Sequence, residues 1–274
     1  MDELDNHKAN FAKTGYTIFP AVYDIHSLAA WREIGELHRQ DRKFWIVGGL
    51  IEVHPTLALS VITNPTILSF VEKLIGPFVQ LDGMSLVGSR SSIDTGKELD
   101  WHRDPWGSIP SSGGYEPPRA VNAIVYLQDL TDNVGPLRVL PGSHRMPLTM
   151  SAAERRLPHP DERLLSLRAG DVVVLHNNLV HSRTPGDAGI SRFHLSVLYN
   201  HSWLKSTFNF GGPVVQSVLA YADRKNDHRL LRIFGEDRQI VERGNCAFLV
   251  DEESCWQTWL KEDSNALLSD TSPG

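Results

Sequence analysis

Residues 77–200 contain a series of short segments rich in β-branched and aromatic residues, and this series constrains the fold more than any other feature. Glycine, proline, asparagine and aspartate separate the segments, which is typical of strands joined by turns. Helical patterns do not alternate with them, so the pattern favours an antiparallel barrel or jelly roll over a parallel α/β sheet. The segments are FVQLDGMSLVGSR, AVNAIVYLQDL, LRVLPGS, DVVVLHNNLVHS and RFHLSVLYN.

The sequence before this series has a different character. Residues 1–76 are expected to be mostly helical, with YTIFPAV as one short strand. Asp24 and Asn64 are suited to cap the starts of two helices, because their side chains can accept hydrogen bonds from free backbone N–H groups. Gly15 and Gly76 follow helical stretches at the position where a left-handed residue ends a helix.

The organisation of the whole chain follows from these patterns. Residues 201–274 contain further helical stretches, and no linker-like sequence separates them from the rest. We therefore predict one domain over residues 1–274, with a mainly β core at residues 77–200. Residues 1–76 and 201–274 are expected to pack on that core as helical cover.

The composition excludes several functions. The formal net charge is −6, so the chain lacks the basic surface that nucleic acids require. No run of 18 apolar residues is present, so no membrane span is expected. The first residues lack the apolar segment of a signal peptide, and two cysteines, Cys246 and Cys255, favour reduced thiols in the cytoplasm. One structural disulfide is the alternative, and the chain is expected to be a monomer or a homodimer.

The segment WHRDPWG places His102 and Asp104 two positions apart, just after the first β-rich run. Side chains at positions i and i+2 of a strand point the same way, so one metal ion is within reach of both. A third ligand has to come from another strand, and DVVVLHNNLVHS contains His176 and His181. Their odd spacing puts them on opposite faces of a regular strand, so at most one of them is a ligand.

This ligand set indicates a class of chemistry. Two imidazoles and one carboxylate form the facial triad of non-haem Fe(II) oxygenases, which leaves positions open for a 2-oxo acid and O₂. Zinc can use the same ligands with one open position. A 2-oxo acid cosubstrate ends in a carboxylate, for which a guanidinium is the natural two-pronged partner. The turn-rich hairpin SRTPGDAGIS can carry Arg192 back beside the metal, so Arg192 is the candidate for that partner.

Taken in order along most of residues 10–200, these motifs resemble the phytanoyl-CoA dioxygenase family of Fe(II)/2-oxoglutarate-dependent oxygenases. FAKTGYTIFPAVYD is similar to the family's opening helix and strand, and WHRD resembles its WHQD. LQDLTDNVGPLRVLPGSH and AGDVVVLHNNLVH are similar to later family stretches. The chain departs from the pattern at Arg103, where the family commonly has glutamine, and no family pattern is evident past about residue 205.

The resemblance implies iron ligands at His102, Asp104 and His181, and a 2-oxoglutarate-binding role for Arg192. It implies a double-stranded β-helix (jelly-roll) core and a requirement for Fe(II), 2-oxoglutarate and O₂. The expected reaction is oxidation of a small organic molecule, by default hydroxylation, with release of succinate and CO₂. Desaturation, epoxidation and ring formation are the alternatives at the same centre. A cupin-type metal-dependent hydrolase or isomerase, or a non-catalytic small-molecule binder, is the alternative of another class.

Five further residues are candidates near the centre. Arg90 falls where the family often has a basic residue before the metal motif, and we expect it to contact the cofactor. Asn122 lies on the next strand with the parity to face the pocket, so we predict a cofactor contact there too. Trp101 and Trp106 flank the metal motif, and Tyr115 lies in the long loop that follows it. These three aromatic residues are candidates for the substrate wall.

Overall fold

The computed structural model describes residues 3–39, 43–76, 78–90, 99–111, 114–243 and 252–269. Its helices are α1 (Glu3–Thr14), α2 (Ile25–Leu37), α3 (Leu50–Val53), α4 (Pro55–Ile62), α5 (Pro65–Ile75), α6 (Pro213–Arg224), α7 (His228–Ile233), α8 (Ile240–Arg243) and α9 (Glu252–Ser269). Its strands are β1 (Tyr16–Phe19), β2 (Phe44–Val47), β3 (Val79–Arg90), β4 (Ala120–Tyr126), β5 (Leu137–Val139), β6 (Arg163–Leu165), β7 (Val172–His176), β8 (His181–Arg183) and β9 (Ser191–His201).

The described strands form two sheets. The larger has the strand order β1-β7-β4-β9-β3-β2, and the smaller has the order β6-β5-β8. In the larger sheet β7 pairs antiparallel with β1 and β4, and in the smaller β5 pairs antiparallel with β6 and β8. One apolar cluster joins side chains of β4 and β7 to those of β5, so the core lies between the two sheets. The prediction of a mainly β, antiparallel fold is confirmed.

Burial along the strands explains why they occupy these positions. Every residue of β4 and β7 is buried, which is why both segments are nearly continuous runs of apolar residues. Strand β9 instead alternates buried and half-buried residues over much of its length. Such alternation separates the two faces of a strand, so neighbouring residues of β9 serve different parts of the structure.

The predicted helix boundaries are found at their capping residues. The Asp24 carboxylate accepts hydrogen bonds from two backbone N–H groups of α2, and the Asn64 side chain does the same for α5. Gly15 follows α1 with φ +86°, where a side chain would be strained. Strands β2 and β6 were not predicted. Strand β2 lies at a sheet edge with two exposed apolar residues, so its sequence lacks the signal of a buried strand.

The segment DVVVLHNNLVHS was predicted as one strand, and this was wrong. Strand β7 ends at His176 in the larger sheet, whereas β8 begins at His181 in the smaller sheet. Between them Leu179 N–H donates to the His176 carbonyl (2.8 Å), which closes a turn at the two asparagines. Asparagine favours such turns, so the chain leaves one sheet and enters the other there.

Contacts within the chain divide it into two compact units, which are Met1–Leu50 with Met84–Leu198 and Ile51–Gly83 with Tyr199–Gly274. In the second unit, Arg232 and Arg243 both contact the buried Asp263 carboxylate, at 2.8 and 3.1 Å. Cys255 in α9 is buried and disulfide-bonded, so the expectation of reduced thiols was wrong for it. Cys246 lies outside the described residues.

Across the described helices, none alone has both the length and the apolar content to cross a membrane. Helices α4 and α5 satisfy that test only when they are taken together, and they are bent by 49° where they meet.

Candidate metal centre

Two histidines of the first unit are held side by side by their own backbones. His181 opens β8, where it lies opposite Val139 of β5. His102 forms an antiparallel bridge with His181, and each backbone N–H donates to the other's carbonyl at 3.0 Å. The two imidazole rings are therefore neighbours, with centroids 4.3 Å apart.

Asp104 completes a three-residue cluster with His102 and His181, which is called the metal cluster below. Its Oδ1 lies 3.7 Å from His181 Nε2, and one ligand atom from each of His102, Asp104 and His181 lies within 4.8 Å of the others. In the part of the chain that the structure describes, this is the one group of three such side chains placed to hold a metal ion. His102 and Asp104 therefore reach the same point, although only an isolated bridge at His102, and no longer strand, is present at this position.

Hydrogen bonds set the tautomer of both histidines. His102 Nδ1 donates to the Asp100 carbonyl (2.9 Å), and His181 Nδ1 donates to the Leu179 carbonyl (3.1 Å). A carbonyl only accepts, so the proton is on Nδ1 and the Nε2 lone pair is available to a metal. Burial lowers the pKa of His181, which the Asp104 carboxylate only partly opposes. The imidazole is therefore neutral, as a metal ligand must be.

Asp104 is oriented by a chain of hydrogen bonds from two neighbouring strands. The Asn122 amide on β4 donates from Nδ2 to Asp104 Oδ2 (3.0 Å). The Ser196 hydroxyl on β9 donates to Asn122 Oδ1 (2.9 Å), which fixes the orientation of the amide. Asn122 faces the cavity as predicted, but its amide donor is directed at the carboxylate. Ser196 was not anticipated from the sequence.

Arg192 lies in the same cavity and is almost fully buried, with 5% of its surface exposed. One guanidinium nitrogen donates to the Tyr126 hydroxyl (3.1 Å), and the guanidinium carbon lies 5.3 Å from the centre of the Tyr126 ring. Its Nε and Nη1 are buried and have no hydrogen-bond partner among the described residues. Buried donors are normally satisfied, so an unpaired guanidinium edge indicates a missing acceptor.

His194 follows Arg192 on the same face of β9 and also lines the cavity. Burial, together with the charges of Arg192 and Arg183, lowers the pKa of His194 to about 3, so this imidazole is neutral. Within the described chain, its Nδ1 has no hydrogen-bond partner. Tyr126, whose ring lies 5.7 Å from that of His194, was missed in the sequence because an aromatic residue in a buried strand is usually core.

The cavity has a volume of about 540 Å³. The metal cluster and Arg192 share it with an apolar wall to which β2 and β3 contribute Phe44, Ile46 and Val87. The other lining residues are Asp100, Asn122, Ile124, Tyr126, Leu137, Arg156, Ser182, Arg183, His194 and Ser196.

Arg103, the departure from the family pattern, points away from this cavity. Its guanidinium donates to the backbone carbonyls of Asn178 (2.8 Å), Leu148 (3.2 Å) and Ser143 (3.3 Å). The Asn178 side chain in turn accepts from Ser108 N–H (2.7 Å). The loop that carries His102 and Asp104 is thus tied to the turn that precedes His181, so the loop and His181 are positioned as one unit.

Arg90 is not brought to the metal centre, which corrects the expectation of a cofactor contact. Its Nε donates to the Gly189 carbonyl (2.8 Å), and it lines a separate cavity with residues of α2. The reason is strand parity: Val87 of β3 lines the metal cavity, and Arg90, three positions on, faces the other way.

The three aromatic candidates also lie outside the set that lines the metal cavity. Trp101 is buried in a small apolar cluster, with its indole N–H donating to the Leu157 carbonyl (2.9 Å). Trp106 has φ +63°, and its carbonyl accepts from the Asn177 side chain (2.7 Å). Tyr115 packs edge-on against His176, with ring centres 6.4 Å apart. None of the three therefore forms part of the wall of the metal cavity.

The sequence profile of the phytanoyl-CoA dioxygenase family (PhyH) matches residues 53–186, which include the whole metal cluster. An L-proline trans-4-hydroxylase from Streptomyces griseoviridis is similar to this chain, at 26% identity over 163 residues. That alignment covers 50% of this chain and 60% of the hydroxylase, so the chain spans less than two thirds of its relative's length.

Solved structures resemble this chain in fold. HygX from Streptomyces hygroscopicus, with nickel, 2-oxoglutarate and hygromycin B bound, gives a TM-score of 0.60 at 16% identity, covering 75% of this chain and 90% of HygX. The non-heme alpha ketoglutarate dependent epimerase SnoN from nogalamycin biosynthesis gives 0.58 at 21% identity, covering 76% and 87%. The carbocyclase SnoK from the same biosynthesis gives 0.54 at 21% identity, covering 74% and 85%. At these identities the likeness establishes the jelly-roll fold.

Proposed function

We propose that this protein is a non-haem Fe(II)- and 2-oxoglutarate-dependent dioxygenase that hydroxylates a small organic molecule. One observation carries the proposal. A cluster of two imidazoles and one carboxylate shares a cavity with a buried arginine whose Nε and Nη1 have no partner in the described chain. The match of residues 53–186 to the family profile and the fold of the similar solved structures support the same conclusion.

The donor set fits Fe(II). His102, Asp104 and His181 supply two nitrogens and one oxygen, which leaves coordination positions open on a six-coordinate metal. The backbone bridge between the two histidines and the hydrogen bond from Asn122 hold the ligands before a metal arrives. Such outer hydrogen bonds fix ligand orientation and strengthen metal binding.

The unpaired edge of Arg192 fits the distal carboxylate of 2-oxoglutarate. A guanidinium presents parallel N–H groups that match two carboxylate oxygens, and the pair is strong where water is excluded. The Tyr126 hydroxyl accepts from Arg192, so its own proton is free to donate to the same carboxylate. Without such an anion the structure would keep a buried positive charge with unsatisfied donors, which is costly.

Bound iron, 2-oxoglutarate and O₂ would together supply the oxidising chemistry, converting 2-oxoglutarate to succinate and CO₂. The protein's own residues orient the reactants and limit the space around them. Phe44, Ile46 and Val87 give the cavity an apolar side on which a substrate can lie near the metal cluster. The volume of about 540 Å³ suits a small molecule, and hydroxylation is the reaction we propose for it.

The test is a spectrum taken without oxygen. Addition of Fe(II) and 2-oxoglutarate to the anaerobic protein should produce a weak visible metal-to-ligand charge-transfer band. Arg192→Ala should shift the 2-oxoglutarate dependence of this band by about 100-fold, because it removes a shielded two-pronged charged contact. Arg168→Ala is the matched control, since this exposed arginine does not line the cavity. An unchanged 2-oxoglutarate dependence in Arg192→Ala would refute the proposal.

The proposed reaction needs its own measurement. Under air, Fe(II)-loaded protein should release succinate in step with the oxidation of a substrate drawn from a panel of small molecules. Hydroxylation adds one oxygen atom to the product, whereas desaturation removes two hydrogens, and mass spectrometry separates the two. A product lighter than the substrate by two hydrogens would exclude hydroxylation for that substrate and leave the oxygenase assignment standing.

A further inference from the structure

A second cavity lies in the first unit, away from the metal cluster. It has a volume of about 500 Å³ and is lined by Arg32, Glu36, Arg39, Arg90, Gln128, Gly189, Ser191 and Phe193. None of the metal ligands or Arg192 contributes to it. Because Ser191 and Phe193 alternate with Arg192 and His194 along β9, the two cavities lie on opposite faces of this strand.

The lining of this cavity is positively charged, whereas the whole chain is negatively charged. Three of the lining residues are arginines, whereas the chain carries a net charge of −6. Glu36 is paired with Arg39 in α2, with Arg39 Nε 3.1 Å from a Glu36 carboxylate oxygen. The charges of Arg32 and Arg90 remain without a carboxylate partner among the described residues. A local excess of positive charge on an acidic protein attracts anions selectively.

The position of Arg90 is set by its neighbours. Its Nε donates to the Gly189 carbonyl (2.8 Å), which directs the guanidinium and leaves its terminal nitrogens for another acceptor. Gly189 has φ +86°, and a side chain there would begin 3.4 Å from Arg90 Nη2. That distance is an ordinary contact, so glycine suits this position through its left-handed backbone, and its carbonyl accepts the hydrogen bond from Arg90.

Hydrogen bonds also hold three other lining residues of this cavity, Gln128, Ser191 and Phe193, in place. The Gln128 side chain donates to the Ser191 carbonyl (3.3 Å) and accepts from Phe193 N–H (3.2 Å). Phe193 packs edge-on against Trp45, with ring centres 5.6 Å apart. The exposed Arg32 and the half-buried Arg39 and Arg90 line the same cavity as these hydrogen-bonded residues.

We propose that Arg32, Arg39 and Arg90 form an anion site that binds the phosphate group of a small molecule. A phosphate monoester carries about −1.5 to −2 charges at pH 7, which matches the two arginines that lack a carboxylate partner. Guanidinium groups approaching from different elements suit a tetrahedral group with three acceptor oxygens better than a planar carboxylate. The site goes beyond the proposed oxygenase function and does not depend on it.

The proposal is tested by calorimetric titration of the full chain with inorganic phosphate in metal-free buffer. Phosphate should bind to the wild type, and the double variant Arg32→Ala/Arg90→Ala should bind at least about tenfold more weakly. The double variant Arg119→Ala/Arg224→Ala removes the same charge from exposed positions outside this cavity and should bind as the wild type does. Circular dichroism on each variant establishes that it is folded.

Two further titrations locate the bound phosphate and measure the preference of the site for it. His181→Ala should leave phosphate binding unchanged, because the metal cluster lies in the other cavity. Succinate, a dicarboxylate of similar charge, should bind more weakly than phosphate. The proposal is overturned if the wild type does not bind phosphate, or if both arginine double variants lose it equally. It is also overturned if His181→Ala abolishes the binding, or if succinate binds more tightly than phosphate.

Discussion

Replacement of Asn122 by leucine isolates the hydrogen bond that orients the carboxylate of the metal cluster. The substitution keeps nearly the same shape but removes the Nδ2 donor, which lies 3.0 Å from Asp104 Oδ2. Asn122 is 6% exposed and the Asp104 side chain 10%, so water cannot easily replace the lost donor. A buried hydrogen bond to a charged group is worth about 1.5–3 kcal/mol. With about 1.4 kcal/mol per decade, metal affinity should fall by roughly 10- to 100-fold.

Gln128→Leu is the matched control for this substitution. Gln128 lies two residues after the end of β4 and bridges to β9 through its side-chain amide, but it does not line the cavity of the metal cluster. Both variants should lose thermal stability by a similar amount, since each loses side-chain hydrogen bonds to β9. Titration with Fe(II) under anaerobic conditions should show weakened binding in Asn122→Leu alone. Equal affinity in the two variants would refute the positioning role of Asn122.

Three other predictions concern the surroundings of the metal cluster. His181→Ala should abolish Fe(II) binding at micromolar metal, whereas His176→Ala should keep it and lose stability; the reverse pattern in a metal titration would contradict the ligand assignment. Arg103→Lys should lower the free energy of unfolding by about 1–3 kcal/mol in urea, because an ammonium cannot reach carbonyls in three directions as the guanidinium does. Burial lowers the pKa of His176 and of His144 to about 4, below the value of about 6.5 in an unfolded chain. As the pH falls, the unfolded state therefore takes up protons before the folded state does. The melting temperature should be constant above pH 6.5 and fall progressively toward pH 4. A melting temperature that rises as the pH falls over this interval would contradict the burial of neutral histidines.

Features that depend on neighbouring residues could be predicted from the sequence. The caps at Asp24 and Asn64 follow from local hydrogen bonding, and the proximity of His102 and Asp104 follows from their spacing of two positions. The presence of Arg192 near the metal cluster depends on one hairpin, whose turn residues are visible in the sequence. Each of these steps spans a few residues, so tertiary structure had little opportunity to override it.

Features that depend on the partner of a side chain could not be predicted. The sequence position of Arg90 suggests a cofactor contact. Only the structure, in which Val87 lines the cavity, shows that Arg90 lies on the opposite face of β3. The role of Arg103 depends on carbonyls more than 35 positions away in the chain, and the role of Ser196 on an amide 74 positions away. Neither contact leaves a pattern in the sequence, because any backbone carbonyl or amide could have been the partner.

The turn at Asn177 and Asn178 decides where the late histidine of the metal cluster lies. A regular strand from β7 onward would keep this histidine in the larger sheet, where His102 could not pair with it. Because the chain turns, His181 enters the smaller sheet and forms the backbone bridge that brings the two imidazoles together. Asn178 accepts hydrogen bonds from both Arg103 and Ser108 N–H, so the same turn also holds the loop that carries Asp104. The geometry of the metal cluster is therefore set by the crossing between the two sheets, and substitutions at this turn should affect metal affinity even though neither asparagine lines the metal cavity.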